Sequence, residues 1–113
     1  MSETTEQIAF VKWIRKFHPN VLIFHIRNGG QMSGAMGGKL RMMGVVSGVH
    51  DLYVMEYKLF IEMKDVKPKG KVMTPKQKWF RERYRDSEYS FLLCYGFKDA
   101  KEQFTKFVED VGK

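Results

Sequence analysis

The chain has 113 residues, 43% of them hydrophobic and 29% charged, with nine Phe, five Tyr and two Trp. That is apolar area enough for one folded domain, 1–113, in a chain too short for two independent cores. Cys94 is the one cysteine, no apolar run approaches ~18 residues, and Met1–Glu6 is acidic and polar. These features argue against a disulfide framework, a membrane-spanning helix and a secretory signal, so a soluble cytoplasmic protein is expected.

In chain order, the first expected element is a helix from about Thr5 to Phe17. Thr4 and Gln7 have capping-box spacing, and Phe10, Trp13, Ile14 and Phe17 form one stripe at i, i+3, i+4 and i+7. His18-Pro19-Asn20 stops it, and Val21 to Ile26 is a short β-prone run. Residues 28–48 hold seven of the ten glycines, so a long loop is expected there. It matches neither the Gly-x-x-x-x-Gly-Lys-Ser/Thr phosphate loop nor the dinucleotide fingerprint, which argues against nucleotide binding by either route.

Strands at about Val49–Met55 and Lys58–Lys64 lie close enough to form a hairpin. Lys67-Pro68-Lys69-Gly70-Lys71 is a basic turn. Thr74 as N-cap, with Pro75 at the first helical position, starts a helix that runs to about Arg85. Ser90 to Tyr95 reads as a buried strand. The last helix is expected from about Ala100 to Val111, capped by Asp99, with Ala100, Phe104, Phe107, Val108 and Val111 on one stripe. The order is α-β-β-β-α-β-α, an α/β fold with a mixed sheet flanked by helices.

Net charge is +7, and the ten basic and three acidic side chains between Lys58 and Arg85 account for all of it. A quarter of the chain carries the whole excess. That suits a polyanion-binding face or, more plainly, a solvated basic surface.

The hairpin is where chemistry is expected. A two-residue turn at Glu56-Tyr57 pairs Met55 with Lys58 and sets Asp51 opposite Glu62, with Cβ atoms ~4.5–5.5 Å apart. Lys64 shares that face, two residues on. A slip of one residue would turn the two carboxylates to opposite faces. Carboxylates this close repel unless a cation sits between them, and a hard, oxygen-preferring ion such as Mg²⁺ or Mn²⁺ would do so. An exposed surface cluster of charges is the bland alternative. His25 and His50 read as packing or surface residues, and with no cysteine partner a zinc site is not expected.

Asp51, ten intervening residues, then Glu62-Met63-Lys64 resembles the PD-(D/E)xK nuclease signature. The chain as a whole resembles the virus-type replication-repair nuclease (VRR-Nuc) family within it. The likeness runs through Glu6-Gln7, Asn28-Gly29-Gly30, Gly44 to Asp51, Ile61 to Lys64, and Thr74-Pro75-x-Gln77-x-Trp79. His50 stands where the family commonly has Pro, and the hairpin turn lacks a Gly often seen there.

The resemblance implies a restriction-endonuclease-like fold. It also implies a metal held by Asp51, Glu62, the Met63 carbonyl and Glu6, with Lys64 serving the attacking water. Gln77 would contact water or phosphate, although its spacing from Thr74 equally suits a helix cap. Glu6 lies in the first turn of a helix, where any acid is favoured by the dipole.

The expected function is a Mg²⁺- or Mn²⁺-dependent DNA endonuclease resembling Holliday-junction resolvases, such as a phage protein working in its host. Lys67, Lys69, Lys71, Lys76 and Lys78 would bind DNA, and a homodimer would supply two symmetric sites. The rivals are a flap- or nick-directed nuclease of the same fold and a non-catalytic basic DNA-binding module.

Overall fold

The structure is a computed structural model, describing residues 2–27, 34–67 and 73–112. Helix α1 spans Glu3–Phe17, then β1 Ile23–His25, α2 Gly34–Met42, β2 Leu52–Val54, β3 Leu59–Lys64, α3 Pro75–Tyr84, β4 Ser90–Tyr95 and α4 Gly96–Val111. The strands form one sheet in the order β1-β2-β3-β4. The first two pairs are antiparallel, and β3 and β4 are parallel, joined by the α3 crossover. The fold is mixed α/β, with one helix more than the expected order. No helix among the described residues is long and apolar enough to cross a membrane.

Strand β3 divides the molecule. Leu59, Ile61 and Met63 are fully buried on the side where α1 and α4 pack, with Phe10, Ile14, Ala100 and Phe104. By alternation Phe60, Glu62 and Lys64 face α3. There Phe60 meets Phe80 edge-on with centroids 5.0 Å apart and stacks on Phe91 at 5.5 Å. This second layer is aromatic around Phe60 and charged toward Lys64.

Four expectations need correction. Helix α1 starts two residues before Thr5: Ser2 caps it, its Oγ accepting from the Thr5 amide at 3.1 Å. Gln7 instead bonds His25 Nδ1 at 3.2 Å. Part of the expected glycine-rich loop is α2, because Met36, Lys39, Leu40, Arg41 and Met42 favour helix strongly enough to carry Gly37 and Gly38. Gly44, at φ +107, lets the chain leave that helix.

The hairpin turn is wider than two residues, a 3₁₀ turn at Met55–Tyr57 with Lys58 left-handed at φ 48. A four-residue turn conserves the pairing, so Leu52 still faces Ile61 and Val54 faces Leu59. Finally, α4 begins at Gly96 rather than Ala100. Asp99 does not sit at the cap position but reaches back, its Oδ2 accepting from the Tyr95 amide at 2.8 Å. Gly96 has φ +85, and a Cβ there would lie 2.5 Å from Val66 Cγ2, so only glycine turns strand β4 directly into the helix.

Candidate active site

The β2–β3 register, extended by one pair, sets Asp51 across from Glu62 at the open end of the hairpin. Asp51 Oδ2 accepts from the Met63 amide at 2.9 Å, and the Asp51 amide donates to Glu62 Oε1 at 3.3 Å. Glu62 is 1% exposed. Lys64 Nζ lies 3.2 Å from Glu62 Oε2, so the ammonium answers one of two neighbouring carboxylates.

Gln77 caps a helix and also bonds both Lys64 and Glu62. With Thr74 it forms the capping box: its amide donates to Thr74 Oγ1 at 3.1 Å, and its Oε1 accepts from the Thr74 amide at 2.9 Å. The same Oε1 accepts from Lys64 Nζ at 3.3 Å, while Nε2 donates to Glu62 Oε2 at 2.6 Å. Only this orientation of the side-chain amide works, since the reverse would aim its NH₂ at two donors and its oxygen at a carboxylate. The start of α3 is thereby locked to the hairpin.

Above this network lies His50, fully buried between Phe80 at 5.4 Å and Phe91 at 5.5 Å. Its Nδ1 is 4.0 Å from Glu62 Oε1. Burial pushes the imidazole down to about 4, helped by Arg81 and Lys64 and opposed by the Gly48 backbone. His50 is therefore a neutral wall that dries one side of Glu62.

The electrostatics are those of a site short of positive charge. Burial pushes Glu62 up to about 8, the Asp51 carboxylate pushes the same way, and Lys64 offsets part of it. Asp51 is also raised by burial, against the hydrogen bond from Met63. A divalent ion fits this donor set. Mg²⁺ is commonly held by one or two carboxylates, with water and substrate phosphate filling the rest of its shell. Among the described residues no three His, Cys, Asp or Glu side chains gather into a larger metal-holding group.

Two positions on α1 depart from expectation. Glu6 is buried on the α1–α4 side, where its Oε2 accepts from the Phe97 amide at 3.0 Å at the start of α4. The structure thus does not bring it to the Asp51–Glu62 pair, and its place is taken up by holding two helices together. The α1 acid that interacts with Asp51 is Glu3, one turn earlier. After burial, the Asp51 carboxylate is the largest influence raising its carboxyl, and Lys64 lowers it. The signal for Glu3 was its i, i+3 relation to Glu6 on one helix face.

Of the expected DNA-contacting lysines, Lys67, Lys76 and Lys78 are exposed. Lys69 and Lys71 lie outside the described residues, as does Asn28-Gly29-Gly30. Gly48 packs the segment before Asp51 against α3: at φ +95, a Cβ there would sit 2.6 Å from the Lys76 carbonyl. Cys94 is buried and its thiol pushed up to about 12, which removes it as a nucleophile. Comparison of the chain with protein-family models, curated proteins and solved structures finds no match in any of the three. The functional reading is carried by these side chains.

Proposed function

We propose that this protein is a divalent-metal-dependent endonuclease of branched DNA, related to the virus-type replication-repair nucleases. One observation carries the reading: the buried Glu62 on β3 faces the half-buried Asp51 just before β2, with a lysine ammonium 3.2 Å from Glu62 and a glutamine joining lysine to carboxylate. A surface charge cluster would be solvated and need no such network, which disfavours the non-catalytic rival.

Asp51, Glu62 and the Met63 carbonyl would hold Mg²⁺ or Mn²⁺. Bound there, the ion supplies Lewis-acid polarisation of the scissile phosphate and activation of a water. Lys64 orients that water and offsets negative charge gathering on the phosphoryl oxygens. Gln77 is a positioning residue that holds Lys64 and Glu62 in one geometry. Glu3 adds negative charge at the end of α1, and His50 keeps bulk water from Glu62. Lys67, Lys76 and Lys78 draw the phosphate backbone toward the site, aided by the partial positive charge at the start of α3. A homodimer would present two such sites to a branched substrate.

The test is cleavage of a four-way junction labelled on one strand. The wild type should cut it with Mg²⁺ and leave it intact with a chelator, and Asp51→Asn should leave it intact throughout. A wild type that cuts no junction, flap or nicked duplex with either Mg²⁺ or Mn²⁺ removes the proposal.

A further inference from the structure

Helix α3 buries Phe80 at 8% exposure and places Tyr84 one turn on, at the rim of the same aromatic layer. Trp79 lies off that stripe and is 55% exposed, although tryptophan has the largest apolar area of any side chain. Trp13, by contrast, packs among Phe10, Phe17, His18 and Phe104. Among the described residues no ring stacks on Trp79, and packing leaves the indole more than half exposed.

The indole lines an open cleft of about 510 Å³ between the segment after α2 and the first turns of α3. Val45, Val46 and Pro75 give it apolar walls, and Arg41 and Lys76 stand at its margin. No carboxylate lines it among the described residues; Glu82, one turn beyond Trp79, is outside the lining. The volume suits a nucleobase with its sugar.

Its position bears on the reaction. Gly48 allows the 44–50 segment to touch Lys76, so cleft and carboxylates share the same two pieces of chain. Lys76 precedes Gln77, which bonds Glu62, and Ser47 in the lining is four residues before Asp51.

We propose that this cleft holds an unpaired nucleotide of the DNA, its base stacked on Trp79 and its flanking phosphates met by Arg41 and Lys76. The proposal rests on the nuclease reading for its purpose, and it narrows the substrate to branched DNA with an unpaired nucleotide beside the cut. A base inside duplex is already stacked on both faces, whereas an unpaired one offers its face to an aromatic platform. The cations match the phosphates on either side. A second copy of this chain fits less well, because a twofold contact would set Arg41 and Lys76 against their own counterparts.

Binding tests this without cleavage. The metal-free full chain is titrated with a labelled oligothymidylate and with an abasic strand of equal length, reading anisotropy and tryptophan emission. The wild type should bind the thymidylate more tightly and show quenching with that strand alone. Trp79→Ala, an exposed change that should leave far-ultraviolet dichroism intact, should weaken thymidylate binding about 5- to 100-fold and spare the abasic strand. Trp79→Phe should restore most of the loss.

Equal wild-type affinity for the two strands would overturn the proposal, as would Trp79→Ala weakening both alike. Loss of a dimer in Trp79→Ala, seen by light scattering with base discrimination unchanged, would give the cleft to a second copy. The nuclease reading fails separately: base discrimination without junction cleavage refutes the enzyme and keeps the stacking site, and cleavage without discrimination does the reverse.

Discussion

The two sides of strand β3 do different jobs with neighbouring residues. Toward α1 and α4, Leu59, Ile61 and Met63 lie in an apolar layer at 0% exposure. Toward α3, Glu62 is as deeply buried, yet it lies beside a second carboxylate and leans on Lys64 and Gln77. The first side lowers the free energy of the fold throughout, whereas the charged end of the second raises it, because desolvated like charges are unfavourable until a cation joins them. Stability and chemistry are thus separated by strand alternation rather than by distance.

The contrast can be broken from either side. Lys64→Ala should slow cleavage by about 10²–10³-fold, some 3–4 kcal/mol of barrier, and should also lower the urea midpoint of the metal-free protein, because Glu62 loses its ammonium. Single-turnover rates with saturating metal would show it; a rate within a factor of a few of wild type would remove Lys64 from the mechanism. On the other side, Phe104→Ala should cost about 3–5 kcal/mol in urea unfolding, with the rate per folded molecule preserved. Loss of rate in molecules that remain folded would show that the two layers are coupled.

A smaller effect sharpens the comparison. Asp51→Asn keeps an oxygen for the Met63 amide and gains an NH₂ that can donate to Glu62, so the metal-free protein should become about 1–2 kcal/mol more stable as it loses activity. The pH dependence follows from signs. Glu62 is raised from 4.5 to about 8, so the stability it contributes is complete below about pH 4.5 and is lost as pH rises through 8. His50 is lowered from 6.5 to about 4, so its contribution is present above 6.5 and lost as pH falls through 4. The two oppose each other between 4.5 and 6.5, and the decline from 6.5 to 8 belongs to the carboxylate pair. Asp51→Asn should flatten that decline in metal-free thermal melts; an unchanged slope would mean the pair is not strongly coupled.

The smallest effect concerns the surface. Neutralising Lys67, Lys76 and Lys78 together should reduce the log–log salt slope of DNA binding by up to about 2–3 without altering the fold. An unaltered slope would place the DNA path elsewhere.

Much of this was readable from residue order, for identifiable reasons. Thr74-Pro75 marks a helix start through cap chemistry that depends on adjacent residues alone, and β4 is found at the boundaries expected, though only Cys94 of it is fully buried. The Asp51–Glu62 juxtaposition was also legible, since two- and four-residue turns give the same cross-strand pairing. The helix within the glycine-rich stretch was not, because glycine content signals a loop while Met36 to Met42 favour a helix. The start of α4 was hidden by a glycine whose positive φ lets the helix begin at a strand end. Glu3 and Glu6 share a helix face, and periodicity cannot say which of them reaches the end of the sheet. The Trp79 cleft needed both sides of a contact far apart in sequence.

The proposed chemistry requires that the Asp51–Glu62 pair take up a divalent cation. Calorimetric titration of Mn²⁺ and Mg²⁺ near pH 7, in buffers of different ionisation enthalpy, measures both the binding and the protons it expels. With Glu62 raised to about 8, the wild type should release about one proton per cation, a number that falls toward zero as the pH is taken above 8. Asp51→Asn should bind far more weakly. No uptake of either ion by the wild type, or equal uptake by the variant, would contradict the account.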